Sequence, residues 1–184
     1  MRRVIYCAVF MIMIGVFGSG CATIPSTPAQ RESSHDSVKN AIALAKEHDP
    51  SLVKWFDTAR GYAVFPSVGK GGIGIGGAYG TGEVFEKGKR IGYASLTQAT
   101  IGFQLGGQTY TEIIFFKDKT ALDHFIGGNY ELGAQASVAA INVGASAEVD
   151  YSGGVAVFTL AKGGLMYEAS VGGQKFDFRE DPGD

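Results

Sequence analysis

Residues 61–85, GYAVFPSVGKGGIGIGGAYGTGEVF, constrain the fold more than any other stretch of the chain. A helix is excluded there, because each interior glycine costs about 1 kcal/mol relative to alanine. A linker is excluded by the alternation. Ile73, Ile75, Gly77 and Tyr79 fall on one face of an extended chain, and Gly72, Gly74, Gly76 and Ala78 on the other. The second face is almost bare backbone, open to close approach by another strand, a helix or a ligand. The wording also returns. Gly61-Tyr-Ala-Val-Phe65 followed by Lys70-Gly-Gly-Ile73 is echoed by Gly154-Val-Ala-Val-Phe158 followed by Lys162-Gly-Gly-Leu165. Two copies of G-x-A-V-F…K-G-G predict a β-structure with an internal pseudo-repeat.

Around this stretch the chain reads as α+β and β-rich. The expected core is an antiparallel glycine-rich sheet or a barrel-like closure of one, preceded by two helices and interrupted by one in mid-chain. The first helix is expected at 36–47, with Val38, Ala41, Ile42 and Ala45 on one side. The second has Asp49 as its N-cap, Pro50 at the first helical position and Gly61 just past its end, with Leu52, Phe56 and Ala59 as the apolar face and Val53 and Trp55 at the margins. Strands are expected at 62–65, 71–79, 83–85, 91–97, 100–105, 109–116, 132–138, 143–149, 155–160, 165–171 and 175–178, with Pro66 ending the first or marking an edge. Residues 118–126 read as the mid-chain helix, capped by Asp118 and stopped by Gly127.

The ends of the chain carry addressing information. Residues 1–20 read as an export signal: Arg2 and Arg3 form the positive start, and 4–17 is an apolar run too short to span a bilayer comfortably. Gly18-Ser-Gly-Cys21-Ala22 resembles a bacterial lipobox, which makes Cys21 the acylated N-terminus of a lipoprotein, with ordinary cleavage after Ala22 as the alternative. Ala22 after Cys21 resembles the outer-membrane sorting pattern, so the expected location is lipid-anchored at the periplasmic face of the outer membrane, the alternative being soluble in the periplasm or secreted. Residues 21–35 read as a flexible tether, 36–178 as the folded domain and 179–184 as an acidic tail. The formal charge is -2, and loss of Arg2 and Arg3 leaves 14 basic against 18 acidic residues, a balance that argues against a nucleic-acid partner. Cys7 and Cys21 are the two cysteines and form no disulfide framework.

Little in the chain points to catalysis. Gly69, Gly71 and Gly74 match G-x-G-x-x-G, as do Gly72, Gly74 and Gly77, but the dinucleotide motif requires a helix to open where this chain is least able to form one. His35, His48 and His124 are isolated, and no second cysteine or carboxylate pair completes a metal site. There is no G-x-S-x-G; Ser146 and Ser152 have ordinary surroundings. Lys87, Lys89 and Arg90 fit a charged hairpin turn, or contact with phosphate headgroups. The expectation is a non-enzyme without cofactor or metal. The helix before Gly61 packs on the sheet or lies at a membrane interface with Trp55 beside Lys54 and Arg60.

Four separated motifs carry a resemblance: GYAVFPSVGKGGIGIGGAYGTGEVF, TIGFQLGGQTYTEIIFF, LGAQASVAA and the closing KGGLMYEASVGG. In order and spacing they resemble the SYLF domain over 38–178. That resemblance implies a β-rich fold with a few helices and no catalytic residues. It implies binding of lipid, phosphoinositides in eukaryotic members, with actin a partner of yeast members and out of reach of an exported bacterial protein. For this chain it implies anionic phospholipid headgroups as partners, bound by a non-catalytic domain of a cell-envelope lipoprotein. By position it raises Lys39, Lys46, Lys54, Trp55, Arg60 and Lys70 as lipid-contact candidates. The chain departs from the family at Ala140-Ile-Asn142, where many relatives carry a Gly-Pro step. The alternative is a structural or protein-interaction module of the envelope that presents its glycine-rich face to a partner or to itself. An integral outer-membrane barrel is disfavoured by the expected helices and the acidic tail.

Overall fold

The computed structural model describes residues 24–128, 130–133, 136–162 and 173–182. The leader, Cys21, the second K-G-G copy beyond Lys162 and the strand expected at 165–171 lie outside the described residues. The architecture is mixed α+β and rich in strand.

Helix α1 (Pro28–His48) starts earlier than expected and takes in much of the stretch read as a tether. Its start is built from polar residues: Thr27 accepts from the backbone of Gln30, the Gln30 side chain returns to the Thr27 backbone, and Pro28 occupies the first turn. Val38, Ala41 and Ala45 are its buried stripe. Helix α2 (Leu52–Thr58) follows, with Ser51, not Asp49, at the N-cap position. Helix α3 (Lys119–Ile126) has the predicted cap: the Asp118 carboxylate accepts from the Ala121 backbone at 2.9 Å.

Strands β1 (Gly61–Glu86) and β2 (Lys89–Phe116) form one long antiparallel hairpin where several separate strands were expected. Its turn puts Lys87 and Gly88 at positive φ, the backbone that a tight hairpin requires. Pro66 does not end β1. It falls at a register irregularity between Phe65 and Val68, where its missing N–H breaks no ladder bond. The other described strands are β3 (Tyr130–Leu132), β4 (Ser137–Ala140), β5 (Val155–Ala161) and β6 (Gln174–Glu180), in the order β3-β6-β2-β5-β4, with β1 also on β2. Among these strands the pairings are antiparallel except β4 on β5, which is parallel. Arg179 and Glu180, expected in a frayed tail, belong to β6.

The sheet curls into a half-barrel because β1 folds back on itself at its glycines. A Cβ on Gly82 would stand 2.2 Å from the Val64 carbonyl oxygen, and one on Gly80 would stand 2.9 Å from Val68 Cγ2. At these two positions the close neighbour of the bare backbone is the strand's own first half.

Two cores result, one on each side of the curled sheet. The inner one contains Phe65, Ile114, Phe116, Phe125, Val157 and Phe176; the outer one, under α1 and α2, contains Trp55, Val64, Ile113, Phe115 and Phe158. The two G-x-A-V-F copies flank β2, but one residue out of step: Phe65 pairs with Glu112, and Phe158 with Ile113. Adjacent residues of β2 face opposite ways, so Phe65 enters the inner core and Phe158 the outer. The motif recurs in sequence while its copies present opposite faces.

The segment expected as a strand at 143–149 is instead a 3-10 turn (Ala145–Glu148) entered through Gly144 at φ 78°. Its alternation of small residues fits a strand, but the Asp49 carboxylate at the end of α1 captures the N–H groups of Gly144 and Ser146.

Candidate functional site

Asp49 closes α1 and organises the approach to α2. Its carboxylate is buried and accepts from Ser51 N at 3.0 Å, Ser51 Oγ at 2.5 Å, Gly144 N at 3.2 Å and Ser146 N at 2.9 Å. Burial by itself would raise its pKa; the hydrogen bonds from Ser51 and Ser146 outweigh that and hold it at about 2. One charge therefore pins the 3-10 turn against the start of α2. Trp55 adds a second tie, its indole N–H donating to the Ser146 carbonyl at 3.0 Å.

Between the two tied elements lies an open cleft of about 740 Å³. One wall is α2, with Val53, Lys54, Trp55 and Asp57; the other runs from the 3-10 turn through Val149 and Asp150 to Tyr151. The floor is aromatic. Trp55 and Tyr151 have ring centroids 4.8 Å apart, and Trp55 packs onward against Phe158 at 4.9 Å and Phe115 at 5.5 Å. The Tyr151 hydroxyl is buried without a hydrogen-bond partner among the described residues, and burial pushes its pKa up to about 12. A cavity of this size with an apolar floor and a few polar groups has the make-up of a small-molecule or headgroup site.

The lipid-contact candidates are only partly brought together. Lys54 and Trp55 line the cleft, Trp55 as a mostly buried ring whose edge forms its floor. Lys46 leans over the Phe56 ring at 4.5 Å, joining α1 to α2, and Lys39 is exposed on α1. Arg60 is engaged elsewhere, donating to Glu86 at 2.6 Å. Lys70 stands apart on β1, half-buried, with its pKa lowered by desolvation. Cys21 lies outside the described residues. No local pattern singles out Asp57, Asp150 and Tyr151, which complete the cleft; their role depends on the contact between α2 and a segment distant in the chain.

A second polar network ties α1 to the sheet. His35 Nδ1 lies 2.9 Å from Glu83 Oε2, Arg90 stands 3.6 Å from Glu83 Oε1, and Arg90 Nε donates to Asp181 at 2.8 Å. Glu83 is fully buried, and these contacts give its carboxyl group polar partners inside the fold.

Residues 97–182 match the family described as Ysc84, Las17-binding protein actin regulator. These residues are a Ysc84 (SYLF) domain. The SYLF segment holds β2 from Thr97 onward and one wall of the cleft, while α1, α2, all of β1 and the start of β2 precede it. Among curated proteins, the chain is 31% identical over 137 residues to beta cell expansion factor A of Aeromonas veronii, an alignment covering 74% of this chain and 52% of that protein. The chain thus spans about half the length of that relative.

Proposed function

We propose that the chain is a non-catalytic lipid-binding module that meets anionic phospholipid headgroups with its α1–α2 side. The observation that carries the proposal is a cleft with an aromatic floor that Lys54 lines, with Lys46 at the contact of α1 and α2 and Lys39 exposed on α1, none of the three in an ion pair among the described residues. The family resemblance supports the same side, since the segment before Gly61 is where lipid contact was expected. In this proposal the leader exports the chain and acylation of Cys21 holds the module at the outer membrane, so that headgroup contact adds to an existing anchor. The reading of a glycine-rich face offered to a partner loses Gly80 and Gly82 to β1 itself and Gly92 to β6, where a Cβ would meet the Arg179 carbonyl at 2.4 Å.

The test is co-sedimentation of the unacylated protein with neutral and anionic vesicles at low and high salt. Binding to anionic vesicles that weakens with salt is expected. Each lysine near an anionic surface contributes about 1 kcal/mol, so changing Lys39, Lys46 and Lys54 together to Ala is expected to weaken binding roughly a hundredfold. Absence of binding under every condition would end the lipid reading.

A further inference from the structure

The cleft holds charges that the fold leaves unused. Arg60, Arg90 and Lys119 are each engaged with a carboxylate. Lys54, Asp57 and Asp150, all exposed at the cleft, are in no ion pair among the described residues. One cation with two carboxylates is a poor match for a simple anion, which the carboxylates would repel, and for a simple cation, which Lys54 would repel. The arrangement complements a group that carries both signs. Beside the charges lie the Trp55 and Tyr151 rings, which form an apolar floor, and Val53 and Val149, which suit hydrocarbon.

We propose that this cleft seats the headgroup of a zwitterionic phospholipid, with the ammonium met by Asp57 and Asp150, the phosphate by Lys54, and the first acyl carbons by Val53 and Val149. The inference rests on the lipid-binding reading and refines it. The lysines of α1 draw the module to a bilayer containing anionic lipid, and the cleft selects a neighbouring lipid whose headgroup bears both charges.

Trp55 is the only tryptophan in the chain, so its emission reports on the cleft directly. The experiment titrates the full chain with monomeric dihexanoyl phosphatidylcholine and phosphatidylethanolamine, with the anionic dihexanoyl phosphatidylglycerol, and with inorganic phosphate. A saturable change in Trp55 emission with the zwitterionic lipids is expected, at an affinity clearly above that for the anionic one. Loss of one charge-assisted contact in Asp57→Asn, Asp150→Asn or Lys54→Gln is expected to weaken it about tenfold. All three residues are exposed, so the variants should retain the parent's circular dichroism. Equal or tighter binding of the anionic lipid, saturation by phosphate alone, unchanged affinity in the variants, or no saturation at all would each overturn the proposal. Vesicle co-sedimentation of the same proteins separates the two readings. Vesicle binding with a silent Trp55 ends the cleft proposal and leaves lipid binding standing, whereas loss of both ends both.

Discussion

Glu112 sits on β2 between Phe65 of β1 and Thr159 of β5, fully buried and facing the inner core. Gln174 Nε2 donates to its Oε2 at 2.9 Å, and Oε1 has no hydrogen-bond partner among the described residues. Tyr110, on the same face, shares the Gln174 amide at 3.5 Å, and its own ionisation is opposed by burial and then by the Glu112 charge. Burial pushes the Glu112 pKa up to about 7 from the ordinary 4.5, and the Gln174 bond offsets this only in part. The folded chain therefore keeps a proton that the unfolded chain gives up. The resulting stability is complete below the unfolded value and is lost as pH rises through the folded one, a decline of about 3 kcal/mol. Glu112→Gln preserves an acceptor for Gln174 and removes the titration. Its urea midpoint should stay level between pH 5 and pH 8 while that of the parent falls. A level parent curve, or a variant that falls as steeply, would mean that water or relaxation solvates the carboxylate at little cost.

Among the elements, β1 depends on specific glycines, for reasons that differ by position. Gly82 lies against the Val64 carbonyl and the Phe65 ring, so Gly82→Ala must pry apart the two halves of the strand. Overpacking costs about 1–3 kcal/mol, and more where the obstacle is backbone. A Cβ on Gly69 would meet nothing within 4 Å, so Gly69→Ala should change stability by no more than about 0.5 kcal/mol. Thermal or urea midpoints of the two variants decide this; similar losses in both would mean that strand entropy, not the curl, fixes the glycines. The alternation within 61–85 announces a strand, yet nothing local says that the approaching backbone is the strand's own. Asp118 and Gly127 are legible because a cap and a stop act within one turn of their helix. The start of α1 is not, because Thr27 and Gln30 make their capping box inside a stretch whose serines and prolines resemble a tether. The 3-10 turn escapes a local reading for the opposite reason: Asp49, which holds Ser146 N, comes from another element far away in the chain. The cleft divides in the same way. Lys54 and Trp55 belong to a helix whose amphipathic pattern is visible, while Asp150 and Tyr151 arrive by tertiary contact.

For the whole molecule, the decisive feature is that both cores are built on the same strands. Ile114 and Phe116 of β2 face inward with Val155 and Val157 of β5, and Ile113 and Phe115 face outward with Ala156 and Phe158. Neither core can lose its packing without releasing the ladder that presents the other, so the described fold should unfold in one step despite its two hydrophobic layers. Phe176 and Trp55 give a direct probe of this coupling. Phe176 lies in the inner core on β6, with ring centroids 5.6 Å from Phe65 and 5.3 Å from Phe125, while Trp55 reports from the outer core. Phe176→Ala should cost about 3–5 kcal/mol, the usual loss for emptying a buried aromatic site. If the cores are coupled through β2 and β5, that loss must lower the denaturation midpoint read from Trp55 emission as far as the midpoint read from far-UV circular dichroism. A Trp55 midpoint that stays in place while the dichroism shifts would show that α1, α2 and the outer layer hold together without the inner one. The cleft would then survive loss of the inner core, whereas in a single cooperative unit its integrity depends on side chains on the far side of the sheet.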